Sequence, residues 1–245
     1  MPLIINADDF GKDHETNLAI CEAFAKGLIH RTTLMANMDA AKEAMELAKE
    51  KGFLNKVGVH LNLTQGKPLT DEMSKNKEMC DEAGLFTADF HRNTYKRFVL
   101  SKKTRTDITG ELDAQLSRFF ELGGILNHVD SHHHVHTDAS VLSALNPLIK
   151  KYNISSIRLG RNLYHGGNKL MRVYKSWLNN KLGKINKEKC NYFGSVNDFE
   201  NYNCNAEFVA DNAIEIMVHP MYIEGVLFDT DYPMTEMTKR LGGFI

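Results

Sequence analysis

The side chains of this 245-residue chain that could do chemistry together are two adjacent carboxylates, Asp8 and Asp9, then His60, a dense histidine group at 132, 133, 134 and 136, and a late His219. Five of the 11 histidines fall between 128 and 136, around Asp130. Carboxylate oxygen and neutral imidazole nitrogen suit Zn²⁺, and with less preference Mn²⁺, Fe²⁺, Co²⁺ or Mg²⁺. One Asp with two His leaves coordination positions for water and substrate, the pattern of a catalytic metal rather than a closed structural one. Side chains of an extended segment alternate faces, which puts Asp130, His132, His134 and His136 on one side and His133 on the other. One of His132 and His134 is then a ligand, and the other touches substrate or supports a ligand. Adjacent carboxylates permit a division of labour. One binds the cation, and the other takes a proton from water whose pKa the cation has lowered toward ~7. Neighbours on a regular strand face opposite ways, so the turn at Phe10-Gly11 is where one of the two could be re-aimed.

Each of these residues has a plainer reading when taken alone. Asp-Asp pairs cap helices or sit in solvated loops, and a strand-end histidine is commonly just hydrogen-bonded. What favours a built metal site is context: Asp8-Asp9 follows an apolar run, and the histidine group lies between a predicted strand and helix rather than on a tail. His14, His30, His91 and His165 read as surface or structural, and Trp177 with the basic stretch Lys169 to Lys189 as a solvated helix face.

The elements that must position these residues alternate. Apolar runs predict strands over 3–7, 32–36, 57–63, 125–130, 154–159, 191–194 and 213–218. Periodic segments, several closed by glycine, predict helices over 14–26, 39–51, 107–122, 138–151 (with Pro147 as a potential kink), 168–182, 205–212 and 235–241. Alternation of this kind is the mark of an α/β fold with a largely parallel sheet, and about seven strands suggest a distorted (β/α) barrel. The reading is a single domain over 1–245, with insertions near 64–106 and 160–192. In such a barrel the C-terminal ends of the strands open onto one face, so Asp8, Asp9, His60, Asp130, His132, His134 and His219 converge there despite their separation in sequence.

Composition narrows the classes. Formal net charge is −1 with no block of one sign, which argues against a nucleic-acid partner. No apolar run approaches the ~20 residues of a membrane helix, and the start, Met-Pro-Leu-Ile-Ile-Asn, has no basic or long apolar leader. The four cysteines at 21, 80, 190 and 204 form no C-x-x-C pair. The expectation is a cytoplasmic protein with reduced, structural thiols.

Four segments carry a resemblance: Asn6-Ala7-Asp8-Asp9-Phe10-Gly11; Gly58-Val59-His60-Leu61-Asn62-Leu63-Thr64 with Gly66-Lys67-Pro68-Leu69; His128-Val129-Asp130-Ser131-His132-His133-His134-Val135-His136; and Glu215-Ile216-Met217-Val218-His219-Pro220. In this order, from residue 6 to 220, the chain resembles the YdjC-like family of carbohydrate deacetylases, which includes chitooligosaccharide deacetylases. The resemblance implies a TIM-barrel-like fold and a metal-dependent hydrolase that removes N-acetyl groups from acetylated sugars, releasing acetate. It implies a divalent cation, Mg²⁺ or Zn²⁺, held by Asp9, His60 and His132, with Asp8 as general base, His219 as candidate general acid, and Gln in many relatives at the place of His133. Its partners would be a small acetylated saccharide and, in a homodimer, a second copy. Arg158 and Arg161, at the end of the predicted fifth strand, would orient Asp8 or hold product acetate, or else form structural salt bridges. Phe86, Phe90 and Tyr95 could stack on a sugar, with core packing the plainer reading.

Two departures stand out: Met221 follows the late His-Pro where relatives tend to have Gly, and the sequence ends at Gly242-Gly243-Phe244-Ile245 about where a last strand would begin, predicting an open seam. The rivals are another metal-dependent hydrolase on a similar barrel, a phosphoesterase or amidohydrolase, and a sugar- or metal-binding protein without turnover. The first usually carries H-x-H on its first strand, where this chain has Asp8-Asp9.

Overall fold

The computed structural model describes residues 3–93, 95–163, 169–187, 190–202 and 204–244; His165 and Lys189 lie outside them. Six parallel strands form one curled sheet: β1 (Leu3–Phe10), β2 (Arg31–Leu34), β3 (Val57–Leu61), β4 (Val129–Ser131), β5 (Tyr192–Ser195) and β6 (Ile214–Val218), in the order β4-β3-β2-β1-β6-β5. β1 lies at the centre and is almost wholly buried, which is why it reads as a continuous apolar run broken only at its functional end. Helices His14–Ala25, Ala41–Glu50, Lys102–Glu121, Ala139–Lys151 and Lys169–Gly183 flank the sheet, giving the expected distorted α/β barrel. The helix Ala41–Glu50 shows how: Ala41, Ala44, Met45 and Ala48 make one buried stripe.

Three differences from the sequence expectation have physical causes. The helix expected to begin at 107 begins at Lys102, because the Ser101 side chain accepts the Thr104 N–H and caps it. The segment 154–159 forms no strand ladder, only an isolated bridge from Ile157 to Val129. The Asn186 side-chain amide takes both backbone groups of Ile157, at 2.7 and 2.9 Å. Thus β4 and β5 are the edges of the sheet, and the segment 156–163 spans the gap between them. Arg158 N–H donates to the Val129 carbonyl (2.9 Å) at one end, and Asn162 N–H to the Phe193 carbonyl (3.0 Å) at the other. Backbone bonds thereby bridge the seam that was expected to be open.

The third difference is a small antiparallel sheet that follows the late His-Pro: β7 (Pro220–Ile223), β8 (Val226–Asp229) and β9 (Tyr232–Pro233). Glu224 and Gly225, both at positive φ, form its two-residue hairpin turn between the paired Ile223 and Val226. All four cysteines are free thiols. Among the described residues no helix is long and apolar enough to cross a membrane.

Candidate active site

A cleft of about 400 Å³ opens at the C-terminal ends of the parallel strands and is lined by Asp8, Asp9, His60, His132, His134 and His219 together with Lys12 and His133. The two carboxylates of β1 both reach it. Asp9 sits at φ +68°, and the register of β1 against β2 shifts between Ala7 and Phe10. This left-handed residue within a β-bulge rotates one side chain of the pair, so that neighbours which would face opposite ways share the cleft. The re-aiming therefore falls at Asp9 itself rather than at Phe10-Gly11.

Asp9, His60 and His132 each offer a ligand atom within 4.8 Å of the other two. Asp9 Oδ1 lies 2.8 Å from His132 Nδ1 and 3.2 Å from His60 Nε2. His60 Nδ1 donates to Asp130 Oδ1 at 2.7 Å. That bond leaves Nε2 as the nitrogen directed at Asp9, the arrangement in which a carboxylate orients a ligating imidazole. Thr33 Oγ1, which donates to Asp130 Oδ2 at 3.0 Å, holds Asp130 in turn.

The alternation expected through 130–136 does not hold. β4 ends at Ser131, and His133 and His134 take left-handed backbone (φ +51° and +58°) in a tight turn. A turn has no two-residue period, so the faces are dealt differently. His133 faces the cleft, stacks near His132 and His91, and its Nδ1 pairs with Thr64 Oγ1 at 3.0 Å. His136 turns back into the core, between the Ser131 hydroxyl and the Arg158 carbonyl. His134 lines the cleft edge-on to Phe193, apart from the Asp9–His60–His132 group, with its buried Nδ1 lacking a hydrogen-bond partner among the described residues.

Arg158 is fully buried and anchors the other side of the site. Its terminal nitrogens bind both oxygens of Asp8 (2.6 Å each), one also lies 2.8 Å from Asp130 Oδ2, and Nε donates to Glu215 Oε1 at 2.7 Å. With all faces engaged it orients Asp8 and is not available for a product anion. Arg161 forms an ion pair with Asp198 and lines a neighbouring cavity that it shares with His219 and Thr230. Asp8, buried beside Arg158 and bonded to the Asn6 amide at 2.8 Å, is held well below the usual carboxylate range: burial would raise it, and Arg158 with His60 and His219 together outweigh burial. His219 reaches the cleft from the end of β6; its backbone N–H donates to Asp229 Oδ1 at 2.8 Å, so the small antiparallel sheet fixes its position. Phe86 and Phe90 are core residues and Tyr95 lies exposed on the surface. His14 pairs with Glu43, while His91 sits against His133 at the cleft's flank.

Glu215 and Asp229 were not singled out from sequence. A carboxylate flanked by Ile214 and Ile216 in a buried strand was itself a signal, since it demands a buried cation.

The donor set fits a divalent cation on two counts. Four buried carboxylates (Asp8, Asp9, Asp130 and Glu215) face two guanidinium groups, Arg158 and Arg31, within one connected network. With Lys12 Nζ, 3.5 Å from Asp9 Oδ2, counted as well, the network still keeps a net negative charge that a bound cation would offset. Burial opposes a charge on His60, yet Asp130, Asp9 and Asp8 lift its pKa to about 10. The pocket thus draws positive charge to the point where a metal would displace that proton.

Fold and cleft together define a distorted barrel that gathers one carboxylate and two imidazoles at the C-terminal ends of its strands. Residues 2–238 match the family described as YdjC-like protein, and the chain belongs to that family. It is 34% identical to a carbohydrate deacetylase of Clostridium beijerinckii, over 98% of this chain and 91% of that one. A carbohydrate deacetylase of Halalkalibacterium halodurans is also 34% identical, over 93% and 88%. A crystal structure of a putative cellobiose-phosphate cleavage protein from Enterococcus faecalis superposes with a TM-score of 0.66 at 25% identity, covering 98% of this chain and 88% of that chain.

Proposed function

We propose that this chain is a hydrolase that removes the acetyl group from an N-acetylated sugar, releasing acetate, with a divalent cation held by Asp9, His60 and His132. The observation that carries the reading is the convergence of those three ligand atoms in an open cleft, in a chain whose relatives are named carbohydrate deacetylases. The bound cation would supply Lewis acidity, making water acidic and polarising the acetamide carbonyl. Asp8, locked by Arg158 and Asn6, takes the proton of the attacking water. His219, fixed through Asp229, donates a proton to the departing amine, which is a poor leaving group until protonated. His134 and His133 line the cleft and are placed to contact the sugar. A phosphoesterase would want free cations beside the metal, whereas Arg158 is spent on three carboxylates and Lys12 is the one lysine among the described cleft residues.

The test is acetate release from diacetylchitobiose by protein stripped with chelator and then reloaded with Zn²⁺, Mg²⁺ or Mn²⁺. Activity should vanish on stripping and return with a cation, and full activity after stripping would overturn metal catalysis. Asp8→Asn should lower turnover by about 10²–10⁴-fold, the range of a general base, with metal content unchanged. Undiminished turnover would remove Asp8 from the mechanism.

A further inference from the structure

At the other end of the barrel lies a second cavity of about 470 Å³. Its walls come from the N-terminal ends of the parallel strands: His30 and Arg31 at the start of β2, Lys56 immediately before β3, and Ser155-Ser156 before the Ile157 bridge. Lys187 closes one side, with its backbone N–H on the Ser155 carbonyl at 3.0 Å. That end of an α/β barrel ordinarily serves stability rather than chemistry. Here it is hollow, and the described residues that line it include an arginine, two lysines and a histidine but no Asp or Glu. In a chain with 31 acidic and 30 basic residues, such a one-signed wall is a local concentration of charge.

The cationic groups are held from behind. Arg31 is largely buried; its Nε donates to Asn6 Oδ1 at 2.8 Å, and a terminal nitrogen lies 3.1 Å from Glu215 Oε1. His30 Nδ1 accepts the Ile5 N–H at 3.0 Å, which leaves Nε2 as the protonated nitrogen, a donor even in the neutral ring. The Ser156 hydroxyl is positioned by His128 Nδ1 at 2.8 Å.

We propose that this cavity binds a small phosphate-bearing anion at a site separate from the cleft. Guanidinium, ammonium, hydroxyl and imidazole donors stand on several walls, so that each outer oxygen of a tetrahedral phosphate can find a donor. Lys56 and Lys187 supply two permanent charges against the −1.5 to −2 that a phosphate monoester carries near neutral pH, and Arg31, whose charge is shared with Glu215, adds a hydrogen-bond donor. The volume falls within the range of small-molecule sites, so the phosphate can be inorganic or can carry a sugar.

The experiment is calorimetric titration of the full, cation-loaded chain with inorganic phosphate and, separately, with glucose 6-phosphate. One equivalent should bind; tighter binding of glucose 6-phosphate would assign the space beyond the phosphate to the sugar, and equal or weaker binding would assign the site to phosphate alone. The double variant Lys56→Gln/Lys187→Gln should weaken binding at least tenfold, since two charge-assisted contacts are lost. His60→Ala should leave it within twofold. Lys56→Gln alone, with an expected loss of about threefold, keeps the test decisive should the double variant fail to fold. Absence of binding, indifference to the lysine substitutions, or loss of binding in His60→Ala, which would move the anion to the cleft, overturns the proposal.

Discussion

Of the three overlapping clusters of carboxylates and imidazoles among the described residues, the third being Asp8, His60 and Asp130, the two that share no residue are built from the same materials. Asp9, His60 and His132 form one; His128, Asp130 and Glu215 form the other, and in each the potential ligand atoms lie within 4.8 Å of one another. They differ in where positive charge comes from. In the second, Arg158 reaches Asp130 at 2.8 Å and Glu215 at 2.7 Å, Arg31 approaches Glu215 at 3.1 Å, and nothing opens to the cleft. In the first no guanidinium intervenes, only the partly exposed Lys12 ammonium 3.5 Å from Asp9 Oδ2, and all three residues line the cleft. A group of buried carboxylates and imidazoles is therefore not a metal centre by composition. It becomes a candidate when the protein has not already neutralised it and has left it a way in. Asp130 joins the clusters, with one oxygen on His60 and the other on Arg158, so the closed cluster orients the open one.

Removal of a ligand from the open cluster should have the largest effect. His60→Ala is expected to lower metal content below one equivalent and acetate release by on the order of 10³-fold or more, read by elemental analysis and a coupled acetate assay. Full metal content with full turnover would erase the distinction between the clusters. Next comes removal of the cation that completes the closed cluster. Arg158→Met strands Asp8, Asp130 and Glu215 without their guanidinium. It should cost about 3–5 kcal/mol of stability in urea unfolding, the cost of breaking a buried pair from one side. A loss under about 1 kcal/mol would mean that the network is not held by Arg158. Smaller again is the joint between them. Asp130→Asn should weaken divalent-cation affinity about 10–100-fold, as expected when the partner of a ligating histidine is changed. Unaltered affinity in a metal titration would show that His60 needs no orienting carboxylate.

Much of the open cluster could be read from the chain because it depends on strand ends. Asp8-Asp9, His60 and His219 each close an apolar run, and parallel topology gathers such ends without further information. What the pattern could not supply was backbone outside the regular wells. The positive φ of Asp9, His133 and His134 decides which side chains face the cleft, and a period-two reading fails wherever the chain leaves the strand. Arg158 shows a third kind of difficulty. Its segment is apolar enough to read as a strand, yet a side-chain amide satisfies its backbone, and the ladder is replaced by a bridge across the seam. The hairpin at Glu224-Gly225 and the cap at Ser101, by contrast, carried ordinary local signals between and before apolar runs.

The smallest effect belongs to the histidine of the closed cluster, and its sign is fixed by burial. His128 is held below its ordinary pKa by burial first and then by Arg31, against the opposing pull of Glu215. It is therefore neutral in the folded protein near pH 7, bonded through Nδ1 to the Ser156 hydroxyl. Above pH ~6.5 neither the folded nor the unfolded state binds a proton here, and this residue adds no pH dependence. As pH falls below that value the unfolded chain takes up a proton that the folded chain refuses, so stability declines, by at most about 1.4 kcal/mol per pH unit. His128→Gln removes this contribution: its urea-unfolding free energy should fall less steeply than the parent's between pH 6.5 and 5, with acetate release at pH 7 within about twofold of the parent. Parallel pH profiles would show that the closed cluster tolerates a charged His128. A collapse of turnover would show instead that it takes a direct part in the reaction, and the division between a neutralised cluster and a reactive one would have to be redrawn.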